Sequence, residues 1–201
     1  MKVIVIGARG TIGAAVAKAL EAKNHAVIRA SRRGDLPVDI EKAASIQAMF
    51  DRIRDAEAVI CCAGDATFKP FAQLTDADYA LGLRSKLMGQ VTLARIAADR
   101  LREGGAITLT TGILATQPAP GSAAVSLANA ALEGFVRAAA LEMPRHIRIN
   151  AVSPPWVTET LLKLGMDPKS GLAAAEVAQA YVASVEGAYQ GAILNPRRPA
   201  A

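Results

Sequence analysis

The chain opens with Val3-Ile-Val-Ile-Gly7-Ala-Arg9-Gly10-Thr11-Ile12-Gly13, a β-branched run, a glycine-rich turn and the start of an Ala-rich helix. No other segment narrows the fold as far, because glycines at this spacing acquire meaning only where a strand feeds a helix. Gly7 suits the tight turn, Gly10 lets the backbone approach a pyrophosphate, and Gly13 permits close packing of helix on strand. The amides that open the helix, at Thr11, Ile12 and Gly13, attract an anion. The alternative is a tight strand-to-helix turn with no ligand.

Beyond this turn, short apolar runs alternate with Ala-rich segments of helical spacing, the signature of an α/β fold with a parallel sheet. Strands are expected over 2–6, 26–29, 58–61, 106–110, 147–152 and 192–194, with a short one over 36–39. Helices are expected over 12–23, 40–54, 76–102, 123–143 and 175–185, and Thr75 with Asp78 forms a candidate capping box before the third. Only 30–35 separate the second strand from the short one, too few for a helical crossover, so one strand–helix–strand unit is trimmed. With the glycine turn, this order predicts a Rossmann-like, doubly wound parallel sheet in a single compact nucleotide-binding domain over 1–201.

Composition excludes several alternatives. At 52% hydrophobic and 20% charged residues the chain has ordinary core-forming capacity, which argues against a disordered segment. Lys and Arg exceed Asp and Glu by five (23 against 18), but they are scattered and aromatics make up only 4%, so a nucleic-acid partner is not expected. A phosphate-bearing ligand accounts for the surplus as well. No stretch approaches the roughly 20 apolar residues of a membrane span, and a cytoplasmic location is expected. Cys61 and Cys62 are adjacent, which suits neither an ordinary disulfide nor a zinc site, and neither His25 nor His146 has metal-ligand spacing; no metal is expected.

After the second strand comes Ala30-Ser31-Arg32-Arg33, with no carboxylate at the strand end to accept from a ribose 2′-hydroxyl, which favours NADP over NAD. Arg32, Arg33 and Arg9 are candidates for a 2′-phosphate clamp, with Ser31 beside them, because guanidinium groups pair bidentately with phosphate oxygens. A solvated basic loop is the plainer reading of the same residues.

These features together resemble the short-chain dehydrogenase/reductase family over nearly the whole length. The glycine turn, Asp39-Ile40, Cys62-Ala63-Gly64, Thr110-Thr111-Gly112 and Arg148-Ile-Asn-Ala-Val-Ser-Pro154 occur in the family's order. The resemblance implies an oxidoreductase acting on an alcohol or carbonyl with NADP(H). Gly7, Arg9, Gly10, Thr11, Ile12, Gly13, Ser31, Arg32, Arg33, Asp39, Ile40, Ala63, Gly64 and Pro154 would then bind the cofactor. It also implies a homodimer or homotetramer paired through the helices over 76–102 and 123–143. Two departures are visible: the glycines are spaced G-x-x-G-x-x-G rather than G-x-x-x-G-x-G, and the family's Asn-Asn-Ala-Gly is Cys61-Cys62-Ala63-Gly64.

The proton-relay positions depart further. Matching Ser122–Ala131 to the family's catalytic helix puts Val125 at the Tyr position and Asn129 at the Lys position, Gly112 falls at the Ser position, and Lys86 stands for the Asn. Lys86, Asn129 and Thr111 are therefore the candidate catalytic residues, a Lys and an Asn having exchanged places on neighbouring helices. An inactive nucleotide sensor or scaffold subunit is the competing reading, since a valine has no proton to give. Trp156 is a candidate pocket residue, and the short segment 158–169 stands where the family places its substrate lid.

Overall fold

The computed structural model describes residues 1–196. Seven strands form one wholly parallel sheet: β1 (Lys2–Ile6), β2 (Ala26–Ser31), β3 (Leu36–Pro37), β4 (Ala58–Cys61), β5 (Ala106–Thr110), β6 (Arg148–Val152) and β7 (Ile193–Leu194), in the order β3-β2-β1-β4-β5-β6-β7. The helices are α1 (Thr11–Glu21), α2 (Ala43–Arg52), α3 (Asp76–Leu81), α4 (Gly89–Arg100), α5 (Ala123–Ala139), α6 (Thr158–Lys163) and α7 (Ala174–Glu186). This is the Rossmann-like doubly wound architecture expected from the sequence, and its strand order reverses direction between β1 and β4.

Alternation along the strands builds the two layers. Ile4 and Ile6 of β1 enter one core with Ile46 and Phe50 of α2, Leu93 and Ala97 of α4, and Leu132 and Val136 of α5. Val3 and Val5 enter the other with Val16 and Leu20 of α1 and Val177, Tyr181 and Val185 of α7. Successive strand residues point to opposite faces, so a strand apolar at every position is covered on both.

Several boundaries differ from the expected ones. β2 runs on to Ser31, and the trimmed connection returns only far enough for Ala30 and Ser31 to pair with Leu36 and Pro37, so β3 is shorter than expected. α1 stops at Glu21, and Asn24 turns the chain at φ 62°. The helix expected over 40–54 starts only at Ala43, because Asp39 and Ser45 engage the backbone of the preceding turn. The helix expected over 76–102 is interrupted by a π-helical stretch, Gly82–Met88, between two glycines. Its capping box is present, with Thr75 and Asp78 each accepting from the other's backbone amide. The helix over 123–143 ends at Ala139, short of Pro144, and α6 arises in a segment read only as a short lid.

Candidate active site

A cleft of about 710 Å³ lies over the carboxyl ends of β1, β2 and β4, beside the point where strand order reverses. Gly7, Arg9, Gly10, Ser31, Arg32, Arg33, Asp39, Ile40, Ala63 and Gly64 line it, bringing together ten residues from four separate sequence motifs. Thr11, Ile12, Gly13 and Pro154 are not in its lining: the first three open α1, and Pro154 follows β6, where its carbonyl accepts from the amide of Ile113 at 2.9 Å.

The glycines of the turn are there for space. Gly7 has φ +80°, and a Cβ on it would stand 2.8 Å from the Cys62 carbonyl; one on Gly13 would stand 2.2 Å from the Gly7 oxygen. The turn thus closes between α1 and β4 with no room for a side chain at Gly7 or Gly13, and no side chain caps the first turn of α1. This cradle fits a dinucleotide pyrophosphate, which takes its hydrogen bonds from backbone amides.

At the β2 end, the Arg9 guanidinium donates to the Arg33 carbonyl at 2.6 Å and the Ser31 hydroxyl donates to the same oxygen at 2.7 Å. Arg32 reaches across to Asp65, 3.6 Å away. Asp65 and Glu41 are lining residues the sequence reading did not single out; each directly follows one it did, Gly64 and Ile40. Arg84 pairs with Glu41 at 2.7 Å and holds its carboxyl below the usual range.

The three catalytic candidates gather around the consecutive residues 110–112. Lys86, in the π-helical stretch, donates to the Thr110 carbonyl at 3.4 Å. Burial pushes its ammonium below the ordinary lysine range, against the opposing pull of Cys61, Cys62 and Asp65. Gly64 makes this position possible, since a Cβ there would stand 2.9 Å from the Lys86 Cα. Gln90 fixes the same strand end, accepting from the Thr110 amide at 2.8 Å and donating to its carbonyl at 2.9 Å.

Asn129 is 2% exposed; its amide nitrogen faces the Gly112 carbonyl at 3.5 Å, and its Oδ1 has no partner. Thr111 is also buried, its hydroxyl 3.3 Å from both Glu133 and the Val152 carbonyl. Cys61 and Cys62 are free thiols, and burial pushes Cys61 up to about 11 and Cys62 higher still, so neither is a ready nucleophile. Trp156 meets Phe68 edge-on at 5.8 Å, joining the loop after β4 to the segment after β6. Among the described residues, no cluster of His, Cys, Asp and Glu could hold a metal ion and no helix is long and apolar enough to cross a membrane.

Known structures share this fold, and known sequences resemble this chain in part. The structure of the protein lin1944 from Listeria innocua superposes with a TM-score of 0.92 at 41% identity, over 97% of this chain and 98% of that one. A small-chain dehydrogenase in complex with NADPH superposes with a TM-score of 0.84 at 25% identity, over 97% and 95% of the two chains. The hydroxynaphthalene reductase-like protein Arp2 of Metarhizium brunneum is 29% identical over 133 residues, 63% of this chain and 50% of that protein. The chain therefore spans about half the length of the curated relatives it matches first. The model of the family described as Enoyl-(Acyl carrier protein) reductase matches residues 7–186, so a parallel sheet with a glycine cradle at its reversal point belongs to a member of the short-chain dehydrogenase/reductase family.

Proposed function

We propose that the protein is an NADP(H)-dependent oxidoreductase with an atypical active site, acting on an alcohol or carbonyl compound. The observation that carries this reading is the cleft itself: the glycine turn, three arginines and Ala63-Gly64 converge where the sheet's order reverses. The similarity to a dehydrogenase in complex with NADPH supports the choice of cofactor. When bound, the dinucleotide supplies or accepts the hydride.

The chain's own residues divide the remaining work. The turn amides hold the pyrophosphate, and Arg9, Arg32 and Arg33 supply positive charge for a 2′-phosphate. Lys86 is the proton donor to the substrate oxygen: its pKa is lowered by burial, which brings it nearer the range where an ammonium gives up its proton readily. Asn129 orients a hydroxyl with its unpartnered Oδ1. Thr111, bound to Glu133 and the Val152 carbonyl, positions the strand end. Val125 contributes no proton where the family's tyrosine would.

Binding without turnover, as a sensor or scaffold subunit, is favoured by one observation, the engagement of the Thr111 hydroxyl within the protein. Titration of NADPH and NADH by fluorescence, followed by absorbance assays against a panel of carbonyls and alcohols, separates the two readings. Slow reduction that collapses in Lys86→Ala and rises when Val125→Tyr, Asn129→Lys and Gly112→Ser are combined is the expected result. Tight NADPH binding with no turnover on any compound favours the sensor, and robust turnover persisting in Lys86→Ala refutes the assigned donor.

A further inference from the structure

The lid helix α6 places a cation where a helix does not favour one. Lys163, in its last turn, donates from its ammonium to the hydroxyl of Thr11 at 2.8 Å, and Thr11 is the first residue of α1. The amino end of a helix carries a partial positive charge of roughly half a unit, so an ammonium there faces like charge. The first turn of α1 has neither an acidic residue nor a side-chain cap to offset this, and Arg9 stands just before it. An anion between the ammonium and the helix start relieves this repulsion.

Lys163 does not reach Thr11 from a loose segment. Glu159, one turn earlier on α6, accepts from the Ala174 amide with both carboxylate oxygens, at 3.1 and 3.0 Å, which ties α6 to the start of α7. Leu161 is 1% exposed, and Val157 pairs with Leu172. Anchored in this way, α6 holds Lys163 against Thr11 at the start of α1 while Leu162, next to it, faces solvent.

We propose that Lys163 binds the pyrophosphate of the dinucleotide and fastens α6 over it. This rests on the cofactor reading above. An ammonium has three donors, so with one on Thr11 two remain for phosphate oxygens. Thr11 accepts from Lys163, which leaves its own hydroxyl hydrogen free to donate to the same phosphate. The pyrophosphate would then be held from below by turn amides and from above by a charge carried on an element 152 residues away.

The test is NADPH affinity, read by cofactor fluorescence, in the wild type and in Lys163→Ala, Lys163→Met and Lys163→Arg, with melting temperatures of the free proteins as the fold control. Ala and Met are expected to weaken binding about tenfold, the scale of a hydrogen bond to a charged group, and Arg to stay within about threefold. The same loss is expected for 2′-phospho-ADP-ribose, read by calorimetry, because it keeps the pyrophosphate and lacks the nicotinamide. Wild-type affinity in Lys163→Met overturns the assignment while leaving the cofactor reading intact. So does a loss confined to NADPH, which would put Lys163 at the nicotinamide end. A folded wild type that binds neither NADPH nor NADH overturns both.

Discussion

The side-chain amide of Asn129 occupies the space that a side chain on Gly112 would need: a Cβ built there stands 3.0 Å from Nδ2. The Gly112 backbone is extended, at φ 165°, so packing alone resists substitution. Gly112→Ala should therefore cost about 1–3 kcal/mol, the usual range for overpacking, and much less in an Asn129→Ala background. Denaturant unfolding of the two single variants and the double variant checks this coupling. Additive losses would mean that the two residues do not contend for the same space.

The glycine turn should separate folding from binding. A Cβ on Gly13 meets the Gly7 carbonyl at 2.2 Å, whereas one on Gly10 stands 3.3 Å from the same atom. Gly13→Ala should destabilise the fold by about 3 kcal/mol. Gly10→Val should melt near the wild type yet lose NADPH binding, because its side chain fills the pyrophosphate approach. Normal NADPH affinity in a folded Gly10→Val protein would reduce the motif to a structural turn.

Cofactor choice should follow the β2 loop. Wild-type protein is expected to bind NADPH at least about tenfold more tightly than NADH, and Arg32→Ala with Arg33→Ala to erase most of that difference. NADH affinity should change little. Raising ionic strength should weaken NADPH more than NADH, since screening acts on the additional phosphate contacts. Equal affinities in the wild type would refute the clamp.

Lys86 has its pKa depressed by burial from the ordinary 10.5, so two pH effects follow. Between the depressed folded value and 10.5 the unfolded chain binds more protons than the folded one, and the lysine's contribution to stability rises with pH. Lys86→Met lacks this rise, so its advantage over the wild type should shrink as pH climbs through that window, as unfolding midpoints of both proteins would record. A protonated Lys86 as donor also requires carbonyl reduction to fall on the alkaline side, beginning below pH 10.5. A flat rate profile up to that pH would remove Lys86 from the chemistry.

Association should use the helices on the α4–α5 side. A groove of about 490 Å³ between them is lined by Ala98, Phe135, Ala138, Ala139 and Met143, with Arg95 and Glu142 also in its lining. A homodimer or homotetramer built on this surface should be disrupted by Ala138→Glu, which would put a carboxylate among these apolar side chains. Light scattering across a concentration series is the measurement. A wild-type monomer at all concentrations would refute the assembly.

How much of this was legible in the sequence depended on whether the cause was local. Val3–Ile6 and Gly7–Gly13 announce strand, turn and helix by their own pattern, and Thr75 with Asp78 announces a helix start, because each of these features is settled within a few residues. The π-helical stretch was not legible: Gly82 and Gly89 hint at a break, but the close approach of Lys86 to Gly64 comes from a distant loop. Nor could spacing disclose that Thr111 turns its hydroxyl to Glu133, or that Lys163 reaches Thr11. Asp65 and Glu41 lay beside recognised motif residues and entered the cleft with them. α6 went unread because a six-residue helix offers too little periodicity to distinguish from a loop.

Both margins of the sheet end in strands of only two residues, Leu36–Pro37 and Ile193–Leu194. Strands this short offer another chain almost no row of free amides and carbonyls to copy, and Pro37 removes a donor from one of them, although Ala26–Arg29 of β2 extend beyond the cover of β3. The two outermost strands are thereby poor templates for runaway strand addition. The self-association predicted above would instead use helical surfaces, where contact depends on the shape of side chains rather than on a backbone pattern that any extended peptide could match.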